Sequence, residues 1–136
     1  MLMDEVTALV LDSAMRVHSA LGPGLLESVY EKCLAHELRS RSLRVQTQVW
    51  LPVIYDGIEI EGGYKIDLLV EGVVVVELKV VEQILEIHKA QLLSYLKLSR
   101  HSVALLIDFN TVHLRDGIRR LVNNYRPSAS AASSAV

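Results

Sequence analysis

The most informative part of the sequence is Lys65-Ile-Asp-Leu-Leu-Val-Glu-Gly-Val-Val-Val-Val-Glu-Leu-Lys79. Its two apolar runs around a Glu-Gly pair predict two β-strands joined by a tight turn. Because successive side chains of a strand point to opposite faces, Glu77 and Lys79 share one face and Leu78 takes the other. If Asp67 of the first strand lies beside them, two carboxylates and an ammonium converge. Such an arrangement is a candidate site for a divalent metal ion.

The length of the turn sets which residues face each other. A two-residue turn would place Ile66 opposite Glu77. A three-residue turn over residues 71–73 instead places Asp67 opposite Glu77. It also pairs Ile66 with Leu78, so only this register separates apolar from charged side chains, and we predict it. Two facing carboxylates repel, and a metal ion or an ammonium would remove that cost. The simpler alternative is that both are solvated residues on an open sheet face.

The spacing D-x9-E-x-K on a hairpin resembles the catalytic core of the PD-(D/E)XK nuclease superfamily. Gly24-Leu-Leu-Glu-Ser-Val-Tyr30 also resembles the signature of the GxxExxY proteins, which are grouped with that superfamily near its RecB-like branch. Together with the later strands and helix, the resemblance covers most of the chain. It implies a single-domain α/β fold of the restriction-endonuclease-like type, with a mixed β-sheet and flanking helices.

The resemblance implies a metal-dependent site. Asp67, Glu77 and the Leu78 carbonyl would hold Mg²⁺, with Mn²⁺ as an alternative, and waters would complete the octahedron. Glu27 matches a helical acid that reaches the metal in such enzymes, although a glutamate early in a helix also simply complements the helix dipole. Lys79 would position the attacking water. Next to two carboxylates we expect it to stay charged, which argues against a free general base.

A polar stripe is predicted on a helix over residues 82–98, formed by His88, Gln91 and Tyr95. By resemblance, Gln91 and Tyr95 match the Q-x-x-x-Y motif, whose residues line the nucleic-acid and metal site. The alternative is a Gln-Tyr pair that satisfies its own hydrogen bonds. His88 is placed no closer than the second layer around the site. The chain departs from the family at Asp108, where asparagine is usual.

The remaining pattern predicts the order α-α-β-β-β-β-α-β-β. Leu85, Leu92 and Leu96 should pack on the sheet, and Pro52 indicates an edge strand or a bulge. We expect one domain over residues 1–126 and a flexible Ser/Ala-rich tail over 127–136. The predicted elements are helices at 3–20, 25–39 and 82–98, strands at 45–55, 58–61, 65–70 and 74–79, a buried parallel strand at 102–109 and an edge strand at 111–115.

The amino-acid composition limits which classes of function are expected. The chain has 136 residues, 51% hydrophobic and 22% charged, so a folded domain is expected. No apolar run has the length of a membrane span, and the single Cys33 fits a reducing cytoplasm. A net charge of −2 is evidence against bulk electrostatic binding of nucleic acid. Phosphate contacts would need a local patch drawn from Lys65, Lys89, Lys97, Arg100, Arg115, Arg119, Arg120 and Arg126.

Two functions remain open from the sequence. One is a Mg²⁺-dependent nuclease that hydrolyses phosphodiester bonds of nucleic acid, with DNA favoured over RNA. The other is a non-catalytic binding or assembly module that keeps the fold, which small size and acidic balance favour. The apolar stripe of residues 3–20 predicts a homodimer, since a second copy would cover it. Trp50 and Tyr55 have rings that stack on bases, but a lone tryptophan is more often core or interface, and neither joins the predicted site.

Overall fold

The computed structural model describes residues 1–124, which form three helices and a five-stranded sheet. Arg126 and the expected tail over 127–136 lie outside the described residues. In chain order the elements are α1 (Met3–Leu21), α2 (Glu27–Ser40), β1 (Val45–Tyr55), β2 (Ile58–Val70), β3 (Val74–Lys79), α3 (Glu86–Ser99), β4 (Val103–Asp108), a 3₁₀ turn (Leu114–Gly117) and β5 (Ile118–Val122).

The sheet has the strand order β1-β2-β3-β4-β5, with β3 at its centre. Neighbouring strands are antiparallel except β3 and β4, which run parallel. A parallel pair needs a long crossover connection, and α3 supplies it. The predicted mixed sheet with a parallel strand after the helix is therefore confirmed.

Each face of the sheet has its own apolar core. One core lies between the sheet and helices α1 and α2, and it includes Val76 and Leu78 of β3. The other lies under α3 and includes Val75 of the same strand. Five of the six residues of β3 are buried, so both faces of this strand are covered. A strand enclosed in this way has little freedom to shift its register.

Strand β2 is longer than the sequence indicated. The expected break at Gly62-Gly63 is wrong, because the strand continues from Ile58 to Val70. The two glycines instead fit a register shift opposite Pro52, between Leu51 and Val53 of β1. Gly63 is required here, since an added Cβ would collide with the Val53 side chain. The expectation that Pro52 marks an edge strand or a bulge is confirmed on both counts.

The end of the chain and the start of α3 also differ from expectation. Residues 111–115 form no strand; the chain passes through the 3₁₀ turn and pairs with β4 only from Ile118. Leu114 is buried in the core under α1 and α2, which explains the turn. Helix α3 begins at Glu86, so Leu85 precedes it and is exposed, while Leu92 and Leu96 are buried as predicted.

Helix α1 uses its apolar stripe within the chain. Val6, Val10, Ala14 and Val17 are buried in the core shared with α2 and β3. The stripe is therefore not free to cover a second copy, and this reason for predicting a homodimer is wrong. None of the helices in residues 1–124 combines the length and the apolarity needed to cross a membrane.

Tyr30 holds the connection between α1 and α2. Its hydroxyl donates to the Gly22 carbonyl and accepts from the Leu25 amide at 3.2 Å. Its ring is buried and stacks on Phe109, with centroids 4.5 Å apart. Gly22 has a φ of +72°, a conformation that favours glycine. The tyrosine thus fixes the loop that leads directly into Glu27 at the start of α2.

We predict that Tyr30→Phe lowers the free energy of unfolding by about 1–2 kcal/mol, because two backbone groups lose their hydroxyl partner while the stacked ring remains. Urea denaturation measures the difference. Tyr55→Phe is the matched control, since the Tyr55 side chain is exposed at the end of β1 and the substitution should have no effect. Equal loss in both variants would contradict a specific role for the Tyr30 hydroxyl.

Candidate functional site

The hairpin of β2 and β3 has the predicted three-residue turn. Val70 pairs with Val74 and Leu68 pairs with Val76, and there the backbone pairing of the two strands ends. Beyond this point the two strands meet through the side chains of Asp67 and Glu77 instead. The Asp67 amide donates to Glu77 Oε1 at 3.4 Å. Both carboxylates therefore lie where β2 and β3 part.

Asp67 is anchored across the gap by the backbone of β3. Its Oδ2 accepts a hydrogen bond from the Leu78 amide at 2.8 Å. A charged acceptor makes this a strong contact. The side chain of Leu78 points away into the core under α1 and α2.

Strands β1 and β2 change face at this same level. Ile66 packs in the α3-side core, whereas Leu68, two residues later, packs under α1 and α2. The expected pairing of Ile66 with Leu78 is therefore wrong, because these side chains lie on opposite faces. The cause is visible on β1, where Gln48 has a φ of +52° opposite Asp67. A left-handed residue inside a strand turns the chain, and β2 follows this turn.

Gln48 connects Asp67 to helix α2. Its side-chain amide donates to Asp67 Oδ1 at 3.3 Å and also to Glu31 Oε1. A non-glycine residue with positive φ is uncommon and often marks a functional site. Sequence reasoning missed Gln48, since a polar residue on an edge strand carries no signal of its own. Glu31 left a signal, the i, i+4 spacing to Glu27 on one helix face.

Glu77 is held from the α3 side of the sheet. The Tyr64 hydroxyl donates to Glu77 Oε2. The Tyr64 ring lies flat on Tyr95 of α3, with centroids 3.8 Å apart and planes 5° from parallel. The structure thus brings the predicted Tyr95 to the site through a second tyrosine. The sequence hid Tyr64 because β2 was expected to begin only after Gly62-Gly63.

The acidic side chains of the site repel one another electrostatically. Glu77 is only 8% exposed, and its burial together with the charge of Asp67 raises its pKa to about 7. The hydrogen bond from Tyr64 and the charge of Lys79 act in the opposite direction. Burial and the Glu77 contact also raise the pKa of the Tyr64 hydroxyl, so it remains a donor. Ionisation of Glu77 is therefore disfavoured in the folded protein.

Two glutamates of α2 extend this acidic region. Partial loss of hydration and the charge of Asp67 raise the pKa of Glu27, whereas nearby Lys79 lowers it. Partial burial likewise raises the pKa of Glu31, against the Gln48 hydrogen bond. Lys79 thus acts electrostatically on both Glu27 and Glu77. The structure brings together four predicted residues, Glu27, Asp67, Glu77 and Lys79.

The other residues singled out in the sequence have different surroundings. Gln91 is exposed on α3. His88 accepts a hydrogen bond from the Leu85 amide at 3.1 Å, so its ring caps the start of the helix. Asp108 is buried and accepts from the amides of Val81 and Asn110, at 3.1 and 3.0 Å. Because both donors are backbone groups, aspartate serves here as a structural acceptor in the loops after β3 and β4.

The basic residues expected to supply a phosphate patch are spread, within residues 1–124, over β2, α3 and its C-terminal end, the 3₁₀ turn and β5. Lys89 pairs with Glu86 at 2.7 Å, and Arg120 lies 3.5 Å from Asp4. Lys65 differs from them because it lies on β2, two residues before Asp67.

The donor set fits a hard divalent cation that keeps several waters. Within residues 1–124, no three His, Cys, Asp or Glu side chains form a ready-made metal cage. Asp67, Glu77 and the neighbouring Leu78 carbonyl offer oxygen ligands only. Mg²⁺ is typically bound by one or two carboxylates and otherwise by water and substrate. The oxygens that accept the Tyr64 and Leu78 hydrogen bonds retain further lone pairs. A cation here would also offset the acidic repulsion.

We predict that Glu77→Gln stabilises the metal-free protein at about pH 8, by about 3 kcal/mol as an upper estimate from the raised pKa. The unfolded glutamate ionises near 4.5 and the folded one near 7. Wild-type stability therefore falls as the pH rises between these values, whereas glutamine keeps the Tyr64 hydrogen bond without the charge. Urea denaturation at about pH 4 and pH 8 measures the difference.

The advantage of Glu77→Gln should largely vanish at the lower pH, where the folded glutamate is protonated and the unfolded one is mostly protonated. Glu59→Gln, on an exposed carboxylate of β2, is the control and should change nothing at either pH. A Glu77→Gln protein no more stable than wild type at pH 8 would refute the charge conflict.

Comparison with known proteins agrees with this arrangement. A family model described as the PD-(D/E)XK nuclease superfamily matches residues 4–121. No curated protein and no solved structure is significantly similar to the chain. The match spans all three helices and the part of the sheet that carries Asp67, Glu77 and Lys79. With its mixed sheet, its flanking helices and this match, the chain belongs to the PD-(D/E)XK nuclease superfamily.

Proposed function

We propose that the protein is a metal-dependent nuclease that hydrolyses phosphodiester bonds of nucleic acid, with Mg²⁺ as cofactor and Mn²⁺ as an alternative. The observation that carries the proposal is that Asp67 and Glu77 meet where β2 and β3 part, and that the charge of Lys79 acts on Glu77. The family supports a nuclease-like function and a divalent metal. DNA as substrate, a cytoplasmic location, a homodimer and membership of the GxxExxY group stay predictions.

Asp67, Glu77 and the Leu78 carbonyl would hold the cation, with Glu27 approaching from α2. When bound, the cation acidifies a coordinated water and neutralises charge on the phosphate. Tyr64 keeps Glu77 oriented, and Gln48 with the Leu78 amide keeps Asp67 oriented. These contacts fix both carboxylates before substrate arrives, and preorganisation of this kind lowers a reaction barrier.

Lys79 contributes positive charge among the acids. Its ammonium would hold the attacking water and stabilise the negative charge that develops on the phosphate oxygens. Such a contact is stronger in the transition state than in the bound substrate, so it raises turnover more than affinity. This role requires a charged lysine.

Metal binding should be visible as stability, independently of activity. We predict that excess Mn²⁺ or Mg²⁺ raises the melting temperature of the wild type, because a ligand that binds only the folded state stabilises it. Asp67→Asn keeps an oxygen for the Leu78 amide but loses one charge, and it should abolish most of the shift. Calorimetric titration checks the same site directly. Equal shifts in wild type and Asp67→Asn would refute this ligand assignment.

Turnover is tested in single-turnover assays with labelled single- and double-stranded DNA and RNA, in Mg²⁺ and in Mn²⁺. We predict that Lys79→Ala lowers the cleavage rate about a hundredfold or more while affinity changes little, since the lost interaction belongs to the transition state. Arg16→Ala, which removes an exposed charge from α1, is the control and should cleave normally. Binding without cleavage of any substrate by the wild type would favour the non-catalytic module.

A further inference from the structure

Trp50 is the one tryptophan of the chain, and its side chain is 58% exposed on β1. It is directly paired across the strands with Lys65 of β2. The Lys65 Nζ lies 5.5 Å from the centroid of the indole ring, within the range of a cation–π contact. The Trp50 ring is thus neither buried in an apolar core nor enclosed by its neighbours. The Lys65 ammonium lies over one face of the indole, and the rest of the ring surface is open to solvent.

The pair adjoins the candidate site. Val49 and Leu51 pack toward α3, so Trp50 between them points to the opposite side. On that side Gln48 reaches Glu31 of α2 and contacts Asp67. Two residues along a strand span about 7 Å. Val49 and Ile66 pair between them on the α3 side, so Trp50 and Lys65 form the first cross-strand pair beyond Gln48 and Asp67 on the other face.

The charges of the hairpin restrict what this surface accepts. Lys65 is the only basic residue between Val45 and Val70. Farther out, Asp56, Glu59 and Glu61 are exposed and would repel a polyanion. Attraction for phosphate is therefore confined to Lys65, beside the ring. A base stacks on an aromatic face only when that face of the base is free, which excludes a base inside an intact duplex.

We propose that Trp50 and Lys65 form a subsite for one unpaired nucleotide of a single-stranded nucleic acid, with the base on the indole and a phosphate at the ammonium. The subsite rests on the proposed nuclease function and names its substrate class, single strands or frayed ends. A nucleotide bound there would lie next to the phosphodiester bond that the acidic cluster would hydrolyse. Duplex nucleic acid must open locally before it can use this contact.

Because Trp50 is the sole tryptophan, its fluorescence reports on the subsite alone. The protein is titrated with a single-stranded DNA oligonucleotide of about ten nucleotides, the same length of RNA and the blunt DNA duplex. Titrations are run in EDTA and repeated in Mg²⁺ with Lys79→Ala, so that cleavage does not consume the probe. We expect saturable quenching by the single strands and much less by the duplex.

Binding of the same labelled probes is then measured by anisotropy on variants. Trp50→Ala should weaken single-strand binding about tenfold to a hundredfold, as expected for one lost stacking contact, and Trp50→Phe should recover part of it. Lys65→Gln should reduce the salt slope by about 0.7, one phosphate contact on a single strand. Tyr55→Ala, farther along the hairpin, should bind as the wild type does.

Three results would overturn the subsite: no quenching by single strands, equal quenching by the duplex, or unchanged affinity in Trp50→Ala. A fluorescence change that follows protein concentration and dimerisation in sedimentation would instead assign the surface to a second copy of the chain. The two proposals fail separately. Quenching without cleavage by the wild type keeps the subsite and rejects catalysis, whereas cleavage with an inert Trp50 does the reverse.

Discussion

Two carboxylates are held against each other at the point where β2 and β3 separate, and the rest of the structure is arranged so that they cannot move apart. Glu77 belongs to the central strand, which is covered on both faces, so its backbone has no alternative register. Asp67 is tied to that strand by the Leu78 amide. Folding the chain thus forces together two like charges that the unfolded chain keeps in water. Burial, together with that conflict, raises the pKa of Glu77.

Each acid has its own support from a different helix. Glu77 accepts a hydrogen bond from Tyr64, and the Tyr64 ring stacks on Tyr95 of α3. Asp67 accepts a hydrogen bond from Gln48, whose side-chain amide also donates to Glu31 of α2. Helix α2 is in turn positioned by Tyr30, whose hydroxyl closes the loop before it. The site is therefore assembled from both faces of the sheet, and each acid owes part of its support to a different helix.

Much of this was predictable from the sequence, because it depends on alternation within a short hairpin. The three-residue turn followed from separating apolar and charged side chains, and the mixed sheet followed from the order of strands and helix. Gln48 and Tyr64 escaped prediction for physical reasons. A left-handed residue within a strand has no sequence signature unless it is glycine or asparagine. Tyr64 could be assigned only if β2 continued through two glycines, which usually interrupt strands.

The change of face at Gln48 and Asp67 separates the long β1–β2 hairpin into two parts. Beyond it, Leu51 and Ile66 still pack against α3, and the strands then extend toward an exposed turn at Asp56-Gly57. Exposed turns of this kind tolerate insertion. The hairpin tip is thus a natural grafting point, where a longer loop or a small domain can be added by evolution or by an engineer. Such an addition would alter which ligands the protein binds while leaving Asp67 and Glu77 in register.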